Sequence, residues 1–231
     1  MNAPMLTSRL TAAVEDQTSG ATGVVRQVID GLSELVAEPD RLRATADVVA
    51  AKLPWCAPMW HVVRAVNAPD PAAALTSLRE KSEFDVDRSV AVTVKLLTER
   101  GGTVRTAPGS ALVGAVLDAL PRPSRSDTAG TGLTAGTGLT AGTGVAAVTG
   151  LVGADALGPG AVLNVAGTAD LARTVPTIVV MTSMKLVPAD VFGRLGADGF
   201  ERIDLPLFEA VVVDGEVLTP AEAGCRAAAL R

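Results

Sequence analysis

The chain predicts an α/β protein, with a helical N-terminal domain over residues 1–100 and a Rossmann-like parallel-sheet domain over residues 101–231. Three observations lead there. Apolar residues recur at helical spacing before Gly101-Gly102, and short apolar runs bounded by Gly and Pro follow it. Between them in weight stands Leu151–Leu186, LVGADALGPGAVLNVAGTADLARTVPTIVVMTSMKL, which reads as buried strand, Gly/Pro turn, helix and second buried strand. With 231 residues, 48% of them hydrophobic, the chain has enough material for a sizeable core.

Residues 19–37 place Val24, Val25, Val28, Ile29, Leu32, Leu35 and Val36 on one helical face, with Ser19 as the expected N-cap. A second helix is expected from Asp40 and is bounded by Pro54 near Leu53; a third follows Trp60 until Asn67. Pro69 and Pro71 open a further helical stretch, and residues 84–99 continue in that style. After Gly101-Gly102, TVRTA reads as a short strand and GSALVGAVLDAL as a helix opened by Gly109-Ser110, with PRPSRSD as a turn. Beyond Leu186 a turn and short helix are expected around Pro188–Leu195, then a strand over Glu209–Val213 and a turn at Asp214-Gly215. A capped helix is expected from Thr219.

Composition removes several function classes. Aromatic content is 3% with no Tyr, so stacking platforms for bases are nearly absent. Net charge is −5, shared as 11 Lys/Arg against 13 Asp/Glu in residues 1–100 and 9 against 12 in the rest. Neither half offers the basic patch that nucleic-acid binding needs. MNAPMLTSRL lacks the apolar core of a signal peptide, and there is no run of about 20 apolar residues, so we expect no membrane partner and a cytoplasmic location. Cys56 and Cys225 form neither a metal spacing nor a disulfide framework. His61 is the single histidine, which excludes a multi-histidine metal site, and no G-x-S-x-G elbow accompanies it. No metal or cofactor is expected.

Residues 128–145 repeat a six-residue unit three times, as Thr-Ala-Gly-Thr-Gly-Leu twice and then Thr-Ala-Gly-Thr-Gly-Val. The period is too short for a helical solenoid and the copies too few for a β-helix, so a tolerant loop or helix is expected. Each copy imitates the dinucleotide fingerprint, as in Gly130-Thr131-Gly132-Leu133-Thr134-Ala135. That motif carries meaning only between a strand and a helix, and PRPSRSDTA before it is no strand.

Asp155 and Asn164 stand where the first strand of Leu151–Leu186 hands over, and parallel sheets bind ligands at the carboxyl ends of their strands. Asp155 reads either as a catalytic acid/base or as a carboxylate capping the next turn. In an apolar Val/Ala cleft its pKa would rise, which suits proton transfer. Asn164 either orients a ligand or caps the following helix. Lys185 either meets an anion or is a solvated residue after its strand. Cys56 is either a buried structural thiol or, with Trp55 and His61, a pocket wall facing Asp155, where a nearby imidazole would activate it. Cys225 reads as helix packing.

SGATGVVRQVIDGL, KLPWCAPMWHVVRAV, TVRTAPGSALVGAVL, LVGADALGPGAVLNVAGTADLA and VPTIVVMTSMK follow in the order of landmarks of one family. Over roughly residues 15–215 the chain resembles the translation initiation factor 2B α/β/δ-like family, which includes the methylthioribose-1-phosphate and ribose-1,5-bisphosphate isomerases. The resemblance is strongest at Asp155, Asn164, Gly167, Thr168 and Lys185. It implies a helical domain joined to a Rossmann-like domain, a homodimer, and an aldose-to-ketose conversion in a member of bacterial type. In the isomerases a cysteine and the Gly-Ala-Asp aspartate handle ring opening and proton transfer. Here Asp155 is kept, but Pro108 stands at the cysteine position and can neither donate nor accept a proton. Ser19-Gly20-Ala21 stands for the Arg-Gly-Ala phosphate element, Asn164-Val165 for an Asn-Lys pair and Leu53-Pro54 for an Arg-Pro element. Arg105, Arg122 and Arg125 are candidate replacements for the lost charge. The expectation is a small-molecule enzyme with Asp155, Asn164 and Cys56 catalytic and Trp55, His61, Gly20, Ser110 and Lys185 binding the substrate. The alternative is a non-catalytic ligand-sensing or assembly subunit.

Overall fold

The computed structural model describes residues 6–16, 19–121, 137–138, 147–196 and 198–230. Five helices open the chain: α1 (Ser8–Glu15), α2 (Ala21–Ser33), α3 (Pro39–Lys52), α4 (Pro58–Val66) and α5 (Pro71–Arg100). Prolines begin the last three, where a missing N–H is no loss. The buried stripe of α2, from Val24 to Leu32, packs with Leu10, Leu42, Val49, Val62 and Leu75 into one apolar core. The helix predicted through residue 37 stops at Ser33, because residues 34–37 turn toward Pro39. Its N-cap is Gly20 and not Ser19, whose own N–H is taken by the Asp16 carboxylate at 2.8 Å.

A six-stranded sheet follows, built from β1 (Thr103–Thr106), β2 (Thr137–Gly138), β3 (Val148–Val152), β6 (Thr177–Met181), β8 (Ala210–Val213) and β9 (Glu216–Leu218) in the order β2-β1-β3-β6-β8-β9. The inner four strands are parallel, and β2 and β9 close the edges antiparallel. Both faces are covered, which is why these strands read as continuous apolar runs. Leu151, Ile178, Val180 and Val212 face α5 and α6 (Ala111–Ala119). Val152, Val179, Met181, Val211 and Val213 face a second layer of α7 (Thr168–Thr174), α9 (Pro220–Ala228) and a small antiparallel sheet. Each such fully buried side chain stabilises the fold by about 1.5–3 kcal/mol.

That small sheet corrects the expected course of Leu151–Leu186. Between β3 and α7 the chain makes a hairpin, β4 (Ala156–Leu157) and β5 (Ala161–Val165), and β5 pairs with β7 (Phe200–Asp204) from some forty residues on. Asn164 lies in β5 and not at a helix cap; α7 is capped by Gly167 at φ 94°. The short helix expected near Pro188–Leu195 is α8 (Ala189–Phe192). Of the repeat, Thr137-Gly138 pairs as a strand instead of the loop or helix expected, and its other residues, with Arg122 and Arg125, lie outside the described residues. Among the described residues no helix is long and apolar enough to cross a membrane.

Candidate functional site

The carboxyl ends of β1, β3 and β6 open on one side of the sheet, where parallel sheets place their ligands. β1 leads through Gly109, at φ 92°, into Ser110, whose hydroxyl caps α6 by accepting the Val113 N–H at 3.3 Å. β3 leads through Gly153 and Ala154 to Asp155. Gly153 has to be glycine, since a Cβ there would lie 2.4 Å from the Ser110 hydroxyl. β6 leads through Thr182 into a 3-10 turn, Ser183–Lys185, that buries Met184 in the helical core and turns Lys185 toward the sheet. The N-terminus of α2, residues 19–23, faces these strand ends, and Val86 of α5 closes a side. Together they enclose a cleft of about 410 Å³.

Within that cleft Asp155 Oδ1 stands 3.7 Å from Lys185 Nζ, the aspartate side chain 21% and the lysine 10% exposed. Asp155 therefore reaches solvent. Its carboxylate caps no turn: among the described residues Lys185 is its partner, and the main-chain N–H of Asp155 donates to Leu163 O at 2.8 Å. The apolar surroundings expected around this acid are thus corrected by an ammonium group within ion-pair reach. Asn164 is buried, donates its amide to Thr168 Oγ1 at 3.0 Å, and lines the same cleft.

Gly20, Ser110, Asp155, Asn164 and Lys185 are therefore gathered by the fold, whereas Trp55, Cys56 and His61 are not among the cleft-lining residues. Cys56 is packed in the helical core, with Trp55 against that core. Burial pushes its thiol up to about 11, against the lowering pull of Lys185 and of a hydrogen bond with the Met59 backbone. His61 does not activate it. Its Nε2–H donates to Leu186 O at 2.9 Å, the ring stands edge-on to Trp60 at 4.7 Å, and burial pushes its pKa down. The pocket-wall alternative for these three residues is corrected: Cys56 is buried in the helical core, Trp55 and His61 are half-buried, and His61 braces the Lys185 turn through Leu186. Cys225, expected in helix packing, is exposed on α9.

Solved structures share this architecture at low sequence identity. Translation initiation factor 2B from Pyrococcus horikoshii OT3 superposes with a TM-score of 0.66 at 13% identity, over 93% of this chain and 96% of that one. The tetrameric beta2-delta2 complex of the factor from C. thermophilum gives 0.64 at 15% identity, over 94% and 91%. The chain has the initiation factor 2B fold. The 5-methylthioribose 1-phosphate isomerase from P. horikoshii OT3 also shares it, with a TM-score of 0.55 at 10% identity, over 94% of this chain and 85% of that one. No family model and no curated protein matches the sequence itself.

Within this 2B fold, sequence reasoning missed Arg26, a cleft-lining cation one and a half turns into α2. Its signal was present as a charge between the buried apolar pairs Val24-Val25 and Val28-Ile29. It also missed how the Lys185 turn is fixed. Asp214, in the β8–β9 hairpin, accepts the Ser183 N–H at 2.7 Å and pairs with Lys81 of α5 at 2.9 Å, while His61 of α4 holds Leu186. These partners lie far apart in sequence, and no local pattern joins them.

Proposed function

We propose that the cleft binds a small polar metabolite and that the chain is an isomerase-like enzyme, with Asp155 moving a proton on the ligand and Asn164 orienting it. The observation that carries this reading is the convergence of Asp155, Asn164 and Lys185, from separate elements, on one solvent-open cavity. In an aldose-to-ketose conversion, a base takes the proton beside a carbonyl and returns it to the neighbouring carbon through an enediolate. A carboxylate suffices for both transfers, and an ammonium group 3.7 Å away stabilises the negative oxygen formed between them. The step has no net change of oxidation state, so this reading assigns no cofactor. No thiol takes part: Pro108 stands at the family's cysteine position, and Cys56 keeps its proton up to about pH 11. We further propose that the protein is a cytoplasmic homodimer; that a fold neighbour is part of a tetrameric beta2-delta2 complex supports oligomerisation. Sedimentation of a 23.4-kDa species at micromolar concentration would refute the dimer.

The same Pro108 favours a second reading, a ligand-sensing or assembly subunit without turnover. One experiment separates the two. Sugar phosphates and polyols are screened by thermal shift against wild type and Asp155→Asn, and each hit is followed by proton NMR in heavy water. For an enzyme, wild type incorporates deuterium beside the carbonyl and Asp155→Asn does not, although both bind. For a sensor, both bind and neither exchanges. A screen in which nothing binds wild type would sink both.

A further inference from the structure

On the proposed reading that the cleft is an isomerase-like site, we infer that its substrate is a sugar acid, whose carboxylate pairs with Arg26 while its carbonyl end meets Asp155 and Lys185. Among the described residues three charged side chains line the cavity, Arg26, Asp155 and Lys185; Arg105 is exposed and lies outside the lining. Asp155 stands 3.7 Å from Lys185 Nζ, so the end where the proton moves carries no net charge. Arg26 is different. It has no ion pair or hydrogen bond among the described residues, and its Nε is covered without an acceptor. A half-buried charge in that state is unfavourable until a counter-charge arrives.

The charge balance selects the ligand. Taken together, the side chains lining the cleft carry one positive charge in excess, and a monocarboxylate brings the one negative charge that cancels it. A phosphate monoester brings about −1.5 to −2, and the surplus would sit in a cavity that already holds the Asp155 carboxylate. Geometry agrees with charge. With Nε covered, the guanidinium is left its two Nη groups, whose parallel N–H bonds match the two oxygens of a carboxylate. Arg26 comes from α2 and the Asp155–Lys185 pair from the strand ends facing it, so gripping the carboxylate also fixes which end of the ligand reaches the acid. The rest of the lining suits a polyhydroxy chain. Asn164 donates its amide to Thr168 Oγ1 at 3.0 Å, which leaves its Oδ1 as an acceptor for a ligand hydroxyl, and Thr22 and Ser110 add hydroxyls of their own. At about 410 Å³ the cavity is of a size for one small ligand.

The test is calorimetric titration of the full chain, at fixed ionic strength, with two matched sets: glucuronate, glucose and glucose 6-phosphate, and ribonate, ribose and ribose 5-phosphate. In at least one set the acid should bind wild type about tenfold or more tighter than the neutral sugar, and tighter than the phosphate. Arg26→Gln should bring the acid to the level of the neutral sugar. Arg26→Lys keeps the charge but loses the paired donors and should fall between. Asp155→Asn raises the charge of the cleft by one and should tighten the phosphate by a larger factor than the acid. A phosphate that matches or beats the acid in both sets, an acid advantage that persists in Arg26→Gln, a phosphate gain in Asp155→Asn no larger than the acid's, or no acid binding in either set would overturn the inference. If Arg26→Gln does not fold, the Arg26→Lys loss and the acid-phosphate comparison on wild type decide it. Exchange of deuterium into a sugar phosphate with no acid binding would remove the carboxylate site and leave the isomerase reading standing. Arg26-dependent binding of glucuronate with no exchange beside its carbonyl would do the reverse.

Discussion

Lys185 is nine-tenths covered, and Asp155 is the group that balances its charge. Removing one partner of such a pair leaves a covered charge without compensation, and removing both does not. Asp155→Asn alone should therefore cost about 1–2 kcal/mol, less than a fully buried pair because the carboxylate meets solvent, and Asp155→Asn with Lys185→Met should recover part of it. Chemical denaturation of the four proteins of the cycle measures the coupling, and strict additivity would show that the pair is not coupled. The cysteines give a second residue-scale expectation. Thiolate is the reactive form, so buried Cys56, protonated up to about pH 11, should resist a disulfide reagent at neutral pH while exposed Cys225 reacts. One thiol should titrate in the native protein and two in denaturant; two fast native thiols would contradict the burial of Cys56. Sequence reasoning placed Asp155 just past the end of a strand, where the structure has it, because a strand end has a local signature. Of its two readings of Cys56 the buried thiol holds and the pocket wall does not, because nearness in sequence to Trp55 and His61 says nothing about which way a thiol points.

Elements with local chemistry were legible to within a residue or two. α9 begins with a capping box in which Thr219 Oγ1 accepts the Glu222 N–H at 3.2 Å and Glu222 accepts the Thr219 N–H at 2.8 Å. Thr219→Ala should cost about 1 kcal/mol and, in a chain of this length, lower Tm by about 2–4 °C. A Tm shift within error would mean that the box adds nothing to the fold. The β8–β9 hairpin was equally clear, since Asp214-Gly215 takes positive φ at both positions, 50° and 78°. The β4–β5 hairpin was not, because ALGPGAVLNV is a short apolar run whose periodicity suits helix and buried strand alike. What makes it a hairpin is β7, which gives β5 a full antiparallel partner from Val165↔Phe200 to Ala161↔Asp204.

At the scale of the molecule, helices and sheet are tied behind the cleft by polar contacts. Ser89 of α5 donates to Met181 O at 3.2 Å and accepts the Gly215 N–H at 3.1 Å, beside the Lys81–Asp214 pair and the Lys81–Asp85 contact. His61 adds the link to Leu186, facing Arg64, Lys81 and Asp214. Desolvation holds its folded pKa below 6.5, so the unfolded chain binds its proton first as pH falls. Its contribution to stability is complete above that ordinary value and is lost as pH drops below it. Being the sole histidine, it should dominate the stability change between about pH 7.5 and about pH 5.5. Unfolding free energies should fall over that window in wild type and stay nearly level in His61→Gln; parallel curves would assign the dependence elsewhere.

The sequence by itself determined the helical first part, the buried parallel strands, the strand-end acid and the capped last helix, because hydrophobic period, caps and turn residues act over a few positions. Tertiary structure alone decided that Asp155 meets Lys185, that Arg26 turns into the cleft beside two helix ends, that Cys56 is walled off from it, and that β5 finds β7. Each of these depends on which distant segment fills the neighbouring space, and close packing of the whole chain, not any local pattern, settles that.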